Sequence, residues 1–252
     1  MGELLSELFS QRYEIGVYSR GEFETEFTVF DSIASLYRSS DHLVITTPAE
    51  EIKDIVTKLS EIDDREKKLI FDICTFKEDF IDEYKRLPNH LSIASVHPMF
   101  GEGIETLKDR NVIVVPVEGR EQGAQQAEAF FEGFEAKVSR MDVEEHDKIM
   151  KILIGVPYFF GISYLSLISD IEGLERYGGT SFEFLSTYGR SVLNDSPAFI
   201  AEVIDHSADI FEDRIVDMEI SKEEIQRLKE KYSDDIEESY SKMYDVLKSS
   251  PP

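Results

Sequence analysis

The chain has 252 residues, 41% hydrophobic and 11% aromatic, with 14 Gly, 8 Pro and one cysteine. That is enough apolar material for one large domain or two modest ones, and it excludes collagen-like, rod-like and disulfide-scaffold architectures. Acidic residues (52) outnumber basic ones (27), leaving a formal charge of -25 that repels phosphate backbones and anionic lipid, so nucleic acid and membranes are poor partners. The lone Cys74 can form neither an intramolecular disulfide nor a CxxC metal site, and no cationic stretch with an apolar core opens the chain, which fits a reducing cytoplasm.

In chain order, Glu3 to Gln11 puts Leu4, Leu5, Leu8 and Phe9 on one face and predicts a helix, and the run 14–18 (EIGVY) follows as a strand. In a dinucleotide-binding arrangement this pair is the first helix and the second strand. The first strand and most of the glycine loop are then missing, and Gly2 takes the place of the third glycine of G-x-G-x-x-G, which lets helix and strand pack closely. The expectation is a start codon placed too late, or else a truncated paralogue with impaired cofactor binding. Either way, a gap of about 9.5 Å, two strand spacings, opens where the central strand belongs. After the strand at 14–18, Ser19 and Arg20 offer a hydroxyl and a guanidinium suited to a 2′-phosphate, which favours NADP, although Glu22 or Glu24 could serve the ribose of NAD.

Five further runs, 42–47, 68–73, 91–96, 111–117 and 136–141, are β-branched without clean alternation and predict buried parallel strands. Thr47-Pro48-Ala49-Glu50 has the pattern of a capping box with proline at the first helical position, and Thr75 with Glu78 repeats the box. Strand, box and helix repeated at this spacing define a doubly wound, Rossmann-like α/β domain over residues 1–141. From Asp142, with Glu145 three residues on, the pattern turns wholly helical, so 142–252 is expected to be an all-helical domain. Within it Ile152 to Ile168 carries no charge and approaches the ~17-residue lower limit of a membrane span. Pro157, two glycines, two serines, two tyrosines and acidic flanks argue instead for a helix buried all round, in a helical core or between subunits.

The strongest chemical signature is Ser95-Val96-His97-Pro98-Met99-Phe100-Gly101. A histidine at the carboxyl end of a parallel strand faces the crevice where open α/β sheets bind ligands, and Pro98 holds it extended. This segment resembles the HPMFG motif of the prephenate dehydrogenase family. Asp72-Ile73-Cys74-Thr75-Phe76-Lys77 resembles the family's D-x-x-S-V-K, Glu145-His146-Asp147 its E-H-D, and Gly189-Arg190 with Asp195-Ser196-Pro197 its G-R-x-x-x-x-D-P region. The resemblance covers nearly the whole chain. Glu102 stands where the family has proline after HPMFG, and Tyr158 where many members have a second histidine.

The resemblance implies a Rossmann-like domain followed by an all-α dimerisation domain. The implied reaction is oxidative decarboxylation of prephenate to 4-hydroxyphenylpyruvate with hydride transfer to NAD(P), in tyrosine biosynthesis. His97 is the implied acceptor for the substrate hydroxyl, with Thr75 orienting it or the nicotinamide. Arg190 is the implied carboxylate clamp, and it stands in an otherwise uncharged stretch where a salt bridge to Asp195 is the alternative. His146, read otherwise as a hydrogen bonder at the domain hinge, and Tyr158 count with the substrate contacts. Gly2, Ser19, Arg20, Thr47, Pro48 and Lys77 count with the cofactor, which is NADP or NAD. No metal spacing stands out. The expected partners are prephenate or a related small anion and a second copy through the helical domain. Arogenate as substrate, or a non-catalytic dimeric paralogue, are the alternatives.

Overall fold

The computed structural model describes residues 1–21, 23–211 and 221–249, so Glu22, one of the two acidic candidates for the ribose, lies outside the described residues. The backbone divides into two compact units, Met1–Lys148 and Ile149–Pro252.

In the first unit, helix α1 (Gly2–Ser10) buries Leu5, Leu8 and Phe9, the stripe its i, i+3, i+4 spacing prescribes. A Cβ at Gly2 would lie 2.8 Å from Thr46 Oγ1, so glycine is what permits this approach. Strands β1 (Gly16–Val17) and β2 (Thr28–Val29) pair in parallel as a two-stranded sheet. Helix α2 (Ile33–Ser39) is opened by a capping box between Ser32 and Ser35. A separate five-stranded sheet has the order β3-β4-β5-β6-β7: His42–Ile45, Leu69–Asp72, Ser92–Pro98, Asn111–Pro116 and Lys137–Arg140. No ladder joins β1 or β2 to it among the described residues.

Two strand expectations need correction. β6 runs antiparallel to β5, with His97 opposite Ile113 and Pro98 opposite Val112. The connection 99–110 contains no helix, and without a crossover the chain can only fold back beside the strand it left. β7 is parallel to β6 but is largely exposed rather than buried, as an edge strand on the rim can be.

One face of the sheet presents Phe71, Ala94, Val96, Val112 and Val114 to α1 and to α4 (Glu121–Gly133), whose Ala124, Ala127, Phe130 and Phe131 complete the core. α4 reaches the sheet at Gly123, where a Cβ would lie 2.1 Å from the carbonyl oxygen of Ile93. The opposite face carries Ser95 and His97, alternating with Ala94 and Val96 along β5.

The helix signals were met in part. No side-chain cap forms at Thr47: Pro48 starts a 3₁₀ turn, Ala49–Glu51, that leads into α3 (Ile52–Ser60). After Thr75 a 3₁₀ segment, Ile81–Arg86, replaces the expected α-helix. Asp142 does cap α5 (Val143–Met150), accepting from the Glu145 amide at 2.8 Å.

The second unit begins with a π turn, Lys151–Gly155, directly before α6 (Val156–Ile168). Pro157 lacks an amide hydrogen and its ring crowds the carbonyl four residues back, which displaces the local hydrogen-bond ladder. α6 packs on α7 (Thr180–Val192) through Gly161 and Gly189: a Cβ at Gly189 would lie 2.8 Å from the Gly161 carbonyl oxygen. α8 (Pro197–His206), α9 (Ala208–Ile210), α10 (Lys222–Lys231) and α11 (Ile236–Ser249) follow. The charge-free run is not buried all round within this chain. Ile152, Leu153, Phe160 and Leu167 are exposed, Leu167 to 75%, because the described helices around this run do not cover every side of it. By length and composition alone the helical stretch Val143–Ile168 is sufficient to cross a membrane.

Candidate active site

The carboxyl ends of β3, β4 and β5 bring chemistry-bearing residues together within the first unit. β3 is followed by Thr46 and Thr47, β4 ends at Asp72 and leads through Cys74 and Thr75 to Lys77, and β5 ends with His97. The parallel register sets Ile45 beside Asp72 and Asp72 beside Ser95, so the strand ends form one edge, the position at which open α/β sheets bind ligands.

His97 is 5% exposed, and its ring Nδ1 lies 3.0 Å from His146 Nε2. His146 is fully buried, and its other nitrogen, Nδ1, lies 2.6 Å from Asp147 Oδ1. The Asp147 carboxylate also accepts the Lys77 amide at 2.9 Å and the Glu78 amide at 2.8 Å. Burial would raise the Asp147 carboxyl, but the hydrogen bond from His146 and the two backbone amides outweigh it and hold the group below the ordinary carboxylate range. Burial foremost, then the Lys77 ammonium and His146, push His97 well below the usual imidazole range. It is therefore a neutral ring at physiological pH.

Beneath this line lies a second buried knot. Lys77 Nζ is 2.9 Å from Asp72 Oδ1 and 2.8 Å from the Val96 carbonyl, with neither charged side chain exposed. Asp72 accepts further from the Cys74 amide at 3.0 Å and the Tyr84 hydroxyl at 3.1 Å. Burial and the adjacent Asp72 charge push the Tyr84 phenol up.

These contacts revise several expected roles. Lys77 is not free to meet a cofactor, because its ammonium is sealed against Asp72 and Val96. His146 is not placed to touch substrate, since both ring nitrogens are engaged inside the fold. Thr75 is half-buried between Cys74 and Phe76 and does not cap the following turn, whose amides go to Asp147 instead. Thr47 keeps a buried hydroxyl without a hydrogen-bond partner, as does Ser95 on the His97 face. Ser19 and Pro48 are exposed, and Arg20 extends into solvent with Nη2 at 2.7 Å from Glu51.

In the second unit, Tyr158 donates to Asp195 at 2.5 Å, and burial together with that carboxylate drives its phenol up. Asp195 is thus occupied by Tyr158 rather than by Arg190. Arg190 follows the buried Gly189 on α7 and is exposed, with no ion pair among the described residues. Asp147, Asp72 and Tyr84 were the functional neighbours that sequence reasoning passed over. The signal for Asp147 was its place directly after a histidine in E-H-D.

No group of three or more His, Cys, Asp or Glu side chains gathers with metal-ligand spacing among the described residues. A mostly parallel sheet whose strand ends gather a neutral histidine and unpartnered hydroxyls, opened by a glycine-led helix, defines a nucleotide-binding domain of Rossmann type. The family described as prephenate dehydrogenase, nucleotide-binding domain, matches residues 16–140. The Prephenate dehydrogenase of Bacillus subtilis is 23% identical over 198 residues, 73% of this chain and 52% of that protein. A Methanocaldococcus jannaschii protein named "Probable arogenate/prephenate dehydrogenase" is 24% identical over 192 residues, 72% of this chain and 42% of that protein. The crystal structure of the Aquifex aeolicus prephenate dehydrogenase with hydroxyphenyl propionate and NAD+ superposes with a TM-score of 0.65 at 17% identity, covering 98% of this chain and 94% of that one. The chain carries, over residues 16–140, the nucleotide-binding domain of the prephenate dehydrogenase family. It spans about half the length of the curated relatives it matches.

Proposed function

We propose that this protein oxidatively decarboxylates prephenate to 4-hydroxyphenylpyruvate with NAD(P), and that arogenate, which differs by an amine in place of the side-chain keto group, is the runner-up substrate. The observation that carries the reading is His97: a neutral imidazole at the carboxyl edge of the sheet whose protein hydrogen bond runs through Nδ1. That leaves Nε2 to accept a hydrogen bond from a substrate hydroxyl as it becomes a carbonyl. Arg190, exposed and unpaired among the described residues, offers two parallel donors for the ring carboxylate until it departs as carbon dioxide.

The residues present fit a nicotinamide dinucleotide on two observations. Gly2 admits α1 to within van der Waals distance of Thr46, and the Thr47 hydroxyl is buried without a partner at the end of β3. Gly2, Ser19, Arg20, Thr47 and Pro48 would hold it, with the helix N-terminus favouring its anionic part. When bound, the nicotinamide supplies the hydride acceptor. Arg20 favours the 2′-phosphate of NADP.

The exposed apolar side chains of Ile152, Leu153, Phe160 and Leu167 support a homodimer through the helical unit, and the lone Cys74 suits the reducing cytoplasm. Light scattering that found only monomer would remove this part.

The test is NAD(P)H absorbance with prephenate and with arogenate, on the wild type, His97→Asn and Arg190→Gln. Loss of a proton acceptor should lower kcat by on the order of 10²–10⁴-fold, and Arg190→Gln should mainly raise KM. A wild type inactive with both substrates, or a His97 variant with full turnover, would overturn the reading and favour a non-catalytic paralogue.

A further inference from the structure

With both imidazoles neutral, the chain Asp147–His146–His97 has one consistent hydrogen assignment, and it has a chemical consequence. A carboxylate only accepts, so the 2.6 Å contact between Asp147 Oδ1 and His146 Nδ1 requires a proton on Nδ1 of His146. In the neutral ring this leaves a lone pair on His146 Nε2. The 3.0 Å contact from there to His97 Nδ1 then requires the His97 proton on Nδ1, leaving His97 Nε2 as the lone-pair nitrogen. Asp147 is itself fixed, because two backbone amides, of Lys77 and Glu78, donate to it.

We propose that Asp147 and His146 are positioning residues that lock His97 in its Nδ1-protonated tautomer, and that His146 takes over the positive charge when His97 accepts a proton. The assignment of His97 as acceptor rests on the function proposed above; the tautomer does not. The substrate hydroxyl proton goes to His97 Nε2, the His97 Nδ1 proton passes to His146 Nε2, and the His146 Nδ1 proton stays bonded to Asp147. His97 ends neutral, and the added charge lies on His146 beside a carboxylate. The reverse shift, with loss of the Nε2 proton to water, resets the line.

The surrounding charges favour that destination. Lys77 disfavours a cation on His97, and its own charge is met by Asp72, which Tyr84 and the Cys74 amide also bond. On α5, Asp147 is the ionisable group bonded to His146. No bond to solvent is needed for the relay, since His146 is fully buried.

The discriminating variant is Asp147→Asn. The oxygen of the new amide must stay with the Lys77 and Glu78 amides, so its NH₂ turns toward His146 Nδ1. His146 then carries its proton on Nε2, and His97 is forced into the opposite tautomer, with a donor where the substrate needs an acceptor. ¹H–¹⁵N correlation spectra of the full chain, labelled at its five histidines, should show His97 Nδ1-protonated in the wild type and Nε2-protonated in Asp147→Asn, with assignment by His97→Gln. Turnover should fall by at least about 100-fold, as it does when the same exchange inverts a catalytic histidine. A wild-type His97 protonated on Nε2 overturns the proposal even if no variant folds, and so does an Asp147→Asn protein whose His97 tautomer is unchanged. Absence of turnover in the wild type would refute the substrate assignment while the spectra still decide the tautomer lock.

Discussion

Replacing Lys77 by methionine separates two roles for a residue that sequence alone assigned to the cofactor. In the structure its ammonium sits 2.9 Å from Asp72 and 2.8 Å from the Val96 carbonyl, with no exposed surface on either charged partner. Methionine fills a similar volume but leaves the Asp72 carboxylate buried with only the Cys74 amide and the Tyr84 hydroxyl as donors. Breaking a buried pair from one side costs about 3–5 kcal/mol. With an m-value of about 2 kcal/mol per molar urea, that lowers the unfolding midpoint by roughly 1.5–2.5 M. Asp72→Asn added to Lys77→Met removes the stranded charge and should recover most of the loss. The assay is far-UV circular dichroism in urea, since the chain has no tryptophan, on wild type, both single variants and the double. A Lys77→Met protein within 1 kcal/mol of wild type that instead showed a raised KM for NAD(P) would refute the structural role, because an ammonium meeting a cofactor affects binding without supporting the fold.

Three further outcomes follow from the same coordinates. His97 is pushed well below the usual imidazole range by burial, Lys77 and His146, so below about pH 6.5 the unfolded chain binds a proton that the native ring refuses. Stability supplied by this site is therefore complete above that pH and declines as pH falls, by up to about 1.4 kcal/mol per unit. Urea midpoints at pH 7.5 and 5.5 should fall less in His97→Gln than in wild type, and equal falls would count against it. Arg20→Ala should raise KM for NADP several-fold more than KM for NAD in steady-state assays; equal effects would remove the 2′-phosphate assignment. Gly123→Ala places a Cβ 2.1 Å from the Ile93 carbonyl oxygen and 2.3 Å from its nitrogen. Overpacking against backbone should cost about 1–3 kcal/mol, more than the ~1 kcal/mol that alanine gains over glycine in a helix, so a raised melting temperature would contradict the packing.

The sequence made legible whatever depends on neighbours along the chain. The α1 stripe of Leu5, Leu8 and Phe9, the Asp142 cap and the place of His97 at a strand end all follow from local spacing. What it hid depends on distant pairing. The direction of β6 is decided by the absence of a crossover helix in 99–110, a negative signal that a strand-like pattern does not reveal. Asp72 lies only five residues from Lys77, but the Val96 carbonyl that completes the seal is 19 residues away, and the Lys77 amide that fixes Asp147 is 70 residues away, so an ammonium that looked available was sealed and a carboxylate without a role became the anchor of a relay. The apolar run 152–168 stands apart: its composition states that it seeks cover, and composition cannot say whether this chain or a second copy supplies it.

The reversal of β6 also has an evolutionary consequence. A crossover would have carried the chain after His97 to the far end of the sheet. Because β6 turns straight back, residues 99–110 remain at the carboxyl end of β5, tethered at one end by the Met99 amide on the Asn111 carbonyl and pinned by buried Leu107. Insertions or deletions between Gly101 and Thr106 can thus reshape the surface at this edge while every strand keeps its register. Descendants of this fold have a place to acquire new binding preferences without rebuilding the edge that carries His97.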